Sequence, residues 1–110
     1  FAKGVTTIQD AGELRKKESD RITAVTEGLM QIGASVDETQ DGLIISGGNL
    51  RTQESITINS FHDHRIAMSF LVSAIGLGTK VKVLNTDNIA TSFHNFVDLA
   101  YQIGFNLREL

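Results

Sequence analysis

Cysteine is absent from the 110-residue chain, which excludes a disulfide framework, a zinc–thiolate site and a thiol nucleophile. The chain fits a reducing compartment, and a cytoplasmic setting is the expectation. Aromatic residues are scarce, six Phe and one Tyr with no Trp, and the formal net charge is −3. With no continuous basic face beside them, a nucleic-acid surface built on phosphate contacts and base stacking is not expected. The longest apolar stretch, residues 66–77, is broken by Ser69, Ser73 and Gly76 and is too short to cross a bilayer. An initiator methionine is also missing. Phe1-Ala2-Lys3-Gly4 reads as the last turn of a helix with Gly4 just past its end, which predicts a piece of a longer protein.

What is present is ordinary for a globular protein, with 41% apolar and 21% charged residues. A chain of this length predicts one domain that buries roughly two-thirds of its unfolded surface. Residues 5–8 read as a β-branched strand between Gly4 and Asp10-Ala11-Gly12. Ile22, Val25, Leu29 and Ile32 then recur at helical spacing, with Thr23, Thr26, Glu27 and Gln31 opposite and Gly33 as the stop. Residues 35–39 and 43–46 read as a hairpin turning at Gln40-Asp41-Gly42, both of whose last two residues can take positive φ. Gly47-Gly48-Asn49 opens a polar loop that lacks the glycine spacing of a phosphate or dinucleotide loop.

A strand at 56–58 leads to a second helix over 64–77, apolar nearly all round and therefore expected to be buried centrally, with Gly78 closing it. Val81 and Val83 mark another strand, a third helix starts near Ser92, and residues 105–107 can form a last strand. Gln31-Ile32-Gly33 is echoed by Gln102-Ile103-Gly104, so two halves of similar βαβ type follow one another in an α/β (α+β) chain.

Two clusters carry chemistry. Residues 15–21 hold four cations (Arg15, Lys16, Lys17, Arg21) and two carboxylates (Glu18, Asp20), a local net charge of +2 against the global sign. Ser19 is placed to cap the following helix, which sets Arg21 in the first turn, where an anion is already favoured. One reading is a solvated loop whose charges neutralise one another. The other is an anion site in which Glu18 moves a proton. The second cluster, His62-Asp63-His64-Arg65, opens the apolar helix. A cation at a helix N-terminus opposes the dipole, so Arg65 there is a motive for a nearby negative group. The His-Asp-His spacing lacks the further donors a metal needs, and hydrogen bonding or substrate contact is the preferred reading. Both clusters lie between a strand and a helix, the loops that in an open α/β sheet gather into one crevice, so Arg21 and Arg65 are expected to converge on a shared anion.

Glu13 to Arg21 (Glu-Leu-Arg-Lys-Lys-Glu-Ser-Asp-Arg), Asp63 to Phe70 (Asp-His-Arg-Ile-Ala-Met-Ser-Phe) and Ile89 to Phe93 (Ile-Ala-Thr-Ser-Phe), in that order and spacing, resemble the C-terminal part of the 5-enolpyruvylshikimate-3-phosphate synthase (3-phosphoshikimate 1-carboxyvinyltransferase) family over essentially the whole chain. The resemblance implies transfer of the enolpyruvyl group of phosphoenolpyruvate to the 5-hydroxyl of shikimate 3-phosphate, with release of phosphate and no metal or organic cofactor. It implies a fold of βαβαββ units, of which this chain holds about one and a half: one unit at about 5–84 and the start of the last at about 80–110. By position, Lys17 matches a lysine that contacts shikimate 3-phosphate, Glu18 a glutamate of proton transfer, and Arg21 and Arg65 arginines that grip phosphoenolpyruvate. Asp63 and His64 fall beside that pocket. Thr91 stands where many members have a lysine, as in a subgroup of the family, and His94 replaces a proline, so the third motif receives no binding role.

The implied partners are the two substrates and the N-terminal remainder of such an enzyme, without which the chain is expected to be inactive. A non-catalytic anion-binding or scaffolding module of the same descent, and a nucleotide-sugar enolpyruvyl transferase, are the alternatives.

Overall fold

The computed structural model of the chain describes residues 1–48, 50 and 55–86. Seven regular elements follow one another: β1 (Gly4–Ile8), α1 (Arg21–Gln31), β2 (Ser35–Glu38), β3 (Leu43–Gly47), β4 (Ser55–Asn59), α2 (His64–Leu77) and β5 (Lys80–Leu84). A short 3-10 turn, Gly12–Lys16, lies between β1 and α1. The order and class match the sequence reading through β5. The expected third helix, the last strand, the second copy of the repeat and the third motif lie outside the described residues.

The elements form two sheets rather than one. In the first, β3 lies between β1 and β2 and runs antiparallel to both, with Thr6 opposite Ile45 and Val36 opposite the same residue. The second pairs β4 with β5 in parallel, Ile56 opposite Val81 and Ile58 opposite Val83. Among the described residues only β4–α2–β5 is therefore a βαβ unit with neighbouring strands; β1 and β2 run the same way but β3 separates them. The two loops of interest belong to different sheets, and what brings them together is the packing of the helices.

Helix α1 contacts β2 on one side and β4 and α2 on the other. Ile22, Ala24, Ile32, Ile56, Ile58, Ile66, Ala67 and Phe70 are buried. Being packed on two sides also buries Thr26, expected on the polar face; its hydroxyl donates back to the Ile22 carbonyl at 2.8 Å. Close approach of the helices rests on Gly28, where an added Cβ would stand 2.2 Å from Cζ of Phe70. Contrary to the all-round burial expected of α2, its Ile66, Ala67 and Phe70 face is buried while Val72 is 44% exposed, because α1 and the β4–β5 sheet cover one side.

Helix α1 ends as its Gly33 predicts. Gly33 has φ +92° and donates to the Met30 carbonyl, and Ala34 donates to the Leu29 carbonyl. Two other glycines behave differently from expectation. The β2–β3 connection is a four-residue turn, 39–42, in which neither Asp41 nor Gly42 takes positive φ. Gly42 is instead where the end of β1 comes closest, since a Cβ there would lie 1.8 Å from the Ile8 carbonyl oxygen. Gly4 does have positive φ, +92°, yet it opens β1, and residues 1–3 form no helical turn.

Candidate active site

Asp63 organises the site. It is fully buried, and each of its carboxylate oxygens is used. Oδ2 accepts hydrogen bonds from Ser19 Oγ at 2.7 Å and Arg21 Nε at 2.8 Å, while Oδ1 accepts from the Arg65 backbone N–H at 3.1 Å and, more distantly, from Arg21 Nη2 at 3.4 Å. The Asp63 carbonyl also receives the Ala67 N–H. One carboxylate thus caps the start of α2 and holds the first residue of α1. Burial pushes the Asp63 carboxyl up, but Arg21, Ser19 and the Arg65 N–H outweigh it and hold the group below the usual aspartate range.

The loop that delivers Asp63 is braced and strained. Phe61 and His62 have φ of +54° and +58°, the left-handed region that costs a non-glycine residue about 1–2 kcal/mol each. Ser60, also fully buried, lies with its hydroxyl 2.6 and 2.7 Å from the carbonyl oxygens of Leu84 and Asn85, which ties the loop to the end of β5. Asn59 Oδ1 accepts from the Phe61 N–H and from Asn85 Nδ2. Nothing in the residue types Phe-His signals this conformation beforehand.

On the other side of the pocket, α1 begins at Arg21, and its N-cap is Asp20 rather than Ser19. Asp20 Oδ1 accepts the Thr23 N–H at 3.2 Å, and its Oδ2 pairs with Arg15 Nη1 at 2.9 Å. A carboxylate already fixed by a guanidinium suits the positive helix end better than a neutral hydroxyl. Ser19 is thereby released to bond Asp63, a role the capping argument had hidden.

Arg21 is 11% exposed and links the two clusters, reaching Asp63 through Nε and Glu18 Oε2 through Nη2. Its Nη1 has no partner among the described residues. Glu18, 55% exposed, is held below the ordinary glutamate value by its own backbone N–H, with Arg21 acting in the same direction. Lys17 is exposed and makes no described contact, and the Arg65 guanidinium, likewise exposed, has no described partner. His64 begins α2, half-buried, next to Asp63. Of the residues singled out from the sequence, Glu18, Arg21, Asp63 and the backbone of Arg65 are therefore joined in one network, with Lys17 one residue away from it.

Two expectations change. Asp63 places one negative group at the start of α2, where it accepts the Arg65 backbone N–H and leaves the Arg65 guanidinium without a partner among the described residues. Arg15, one of the four cations of the run, donates to acceptors within the chain through all three of its nitrogens. The cationic surplus that remains is Lys16, Lys17, Arg65 and the outer edge of Arg21, a set suited to phosphate and carboxylate oxygens beside a carboxylate that can exchange a proton.

A family model described as EPSP synthase (3-phosphoshikimate 1-carboxyvinyltransferase) matches residues 1–99. The chain belongs to the EPSP synthase family. Among curated relatives, a 3-phosphoshikimate 1-carboxyvinyltransferase of Coxiella burnetii is 46% identical over 107 residues, 97% of this chain and 24% of the relative. Another, from Magnetococcus marinus, is 45% identical over 110 residues, covering all of this chain and 25% of the relative. A solved structure of EPSP synthase from Acinetobacter baumannii superimposes with a TM-score of 0.77 at 39% identity, over 96% of this chain and 25% of that one. The chain thus spans about a quarter of the length of the EPSP synthases it matches.

Proposed function

We propose that this chain is the C-terminal portion of a 3-phosphoshikimate 1-carboxyvinyltransferase, a cytoplasmic enzyme of aromatic amino acid biosynthesis, and supplies one wall of its active site. The observation that carries the reading is the buried Asp63 carboxylate, which draws Ser19, Arg21 and the start of α2 together from opposite halves of the described chain. In this reading Arg21, through an Nη1 that has no partner among the described residues, and Arg65 hold the phosphate and carboxylate of phosphoenolpyruvate, and Lys17 contacts shikimate 3-phosphate. Glu18 exchanges a proton with the enolpyruvyl group as the 5-hydroxyl adds across its double bond and phosphate leaves. His64 and Asp63 border the pocket. The rest of the site, and the remaining units of a βαβαββ architecture of which this chain holds about one and a half, come from the N-terminal part of such an enzyme.

Titration of the chain with phosphoenolpyruvate and with shikimate 3-phosphate, separately and together, tests this by NMR. Weak, salt-sensitive binding with shifts confined to Lys17, Glu18, Arg21 and Arg65 is expected, because half a site leaves its charges solvated. Turnover is not expected, since both substrates need groups from both parts to be oriented. Saturating ligand without any shift at Arg21 or Arg65 would sink the assignment.

A further inference from the structure

The cationic run contains one guanidinium, that of Arg15, whose described hydrogen bonds all go to the β2–β3 turn and the start of α1. Arg15 Nε donates to the Gln40 carbonyl at 2.8 Å, Nη1 to Asp20 Oδ2 at 2.9 Å and Thr23 Oγ1 at 3.4 Å, and Nη2 to the Thr39 carbonyl at 2.6 Å and Glu38 Oε2 at 3.3 Å. These are five contacts for the five N–H groups a guanidinium possesses. Three of the acceptors lie on the end of β2 and the 39–42 turn; the other two, Asp20 and Thr23, belong to the N-terminus of α1. The same turn also holds the start of the loop, where Asp41 Oδ2 accepts the Asp10 N–H at 2.9 Å and the Asp41 carbonyl accepts the Ala11 N–H at 2.8 Å. Between the Arg15 and Asp20 anchors only residues 16–19 remain, and they carry Lys17, Glu18 and Ser19.

We propose that Arg15 is a positioning residue, which bolts the 12–20 loop to the β2–β3 turn and so sets where Glu18 stands relative to Arg21. The proposal rests on the reading of Glu18 and Arg21 as part of the active site. A planar, five-donor fork is needed because its acceptors, two carbonyls, two carboxylates and a hydroxyl, come from two separate segments; an ammonium keeps the charge but cannot span them. Arg15 acts through geometry rather than through its own field. Glu18 is held low first by its own backbone N–H and then by Arg21 from α1, with the side chains of Asp63 and His64 also facing it and Arg15 not among these groups.

The test compares Arg15→Lys and Arg15→Gln with Ile56→Val, a truncation of the β4 core that lowers stability without touching the loop. Two quantities are read by NMR in the 110-residue chain: the titration midpoint of the Glu18 carboxyl, which needs no ligand, and the affinity for phosphoenolpyruvate. Both Arg15 variants are expected to raise the Glu18 midpoint toward the ordinary glutamate value. Both should weaken phosphoenolpyruvate by about tenfold, the equivalent of one lost charge-assisted contact. Ile56→Val should change neither. A Glu18 midpoint left in place by Arg15→Lys overturns the proposal, as does an equal shift in Ile56→Val, which would make the effect one of general stability. If the parent chain ignores phosphoenolpyruvate, the functional reading fails while the ligand-free midpoint still decides the role of Arg15. Should either Arg15 variant not fold, Glu38→Ala removes one of the five contacts and carries the same test with the same sign.

Discussion

Asp63 is the residue on which the site depends, because it satisfies donors from two helices and a loop with one buried charge. Asp63→Asn keeps the shape but removes the charge, and it turns one oxygen into a donor facing Arg21, Ser19 or the Arg65 N–H. Breaking a buried pair from one side leaves the partner uncompensated, so a loss of about 3 kcal/mol is expected in urea denaturation. Arg21 should then lean more heavily on Glu18, and the donors that face the new amide nitrogen should lose their acceptor. A variant within about 0.5 kcal/mol of the parent, the size of an ordinary surface change, would mean the carboxylate is dispensable. The sequence makes this residue hard to weigh. Its type and its place before an apolar helix are visible, but its partners Ser19 and Arg21 lie 44 and 42 positions earlier, and the strain at Phe61 and His62 has no local signal. Arg15 was equally opaque: counted as charge it belongs with Lys16 and Lys17, and only the fold reveals that it is internally spent.

At the level of elements, the two helices meet along matching faces. Arg21 and Gly28 are seven residues apart on α1, Asp63 and Phe70 seven apart leading into α2, and each pair faces its counterpart: Arg21 on Asp63, Gly28 beneath the Phe70 ring. Two helical turns separate the polar contact from the apolar one, so tight packing at Gly28 helps to hold the ion pair in register. Gly28→Ala gains roughly 1 kcal/mol of helix propensity but drives a methyl into a ring that is buried, at a cost of about 1–3 kcal/mol. The overpacking is expected to win by about 1 kcal/mol, with a weakened Arg21–Asp63 contact visible as a shifted Arg21 Nε–H resonance. A more stable Gly28→Ala protein would show that the ring swings aside freely. Periodicity made both helices and most strands legible, since Ile22, Val25, Leu29 and Ile32 and the alternating Ile56, Ile58, Val81 and Val83 each follow one spacing. It could not show that β3 would insert between β1 and β2. That choice is made by strand pairing across the 39–42 turn and by the close approach of Ile8 to Gly42, neither of which leaves a period in the sequence.

For the molecule as a whole, charge and stability are linked with one sign. Asp63, Asp20 and Glu18 are all held below their ordinary values, 3.8 for the aspartates and 4.5 for the glutamate. For a carboxyl whose pKa is depressed on folding, the stabilisation is complete above the unfolded value and is lost as pH falls through the folded one. The guanidinium groups of Arg15, bonded to Asp20, and of Arg21, bonded to Asp63, are pushed further up from an already high value, so their contribution is present across the whole acid range and does not oppose the trend. The urea midpoint should therefore be level from neutrality down to about pH 5 and then fall steeply toward pH 3 as the three carboxyls take up protons. Because Asp63 is the buried member, Asp63→Asn should start from a lower midpoint and fall less steeply over the same interval. Parallel curves for parent and variant would assign the acid sensitivity to Asp20 and Glu18 alone. A midpoint that rises on acidification would contradict the network itself, since protonating Asp63 would then cost nothing to the contacts that join α1, α2 and the cationic loop.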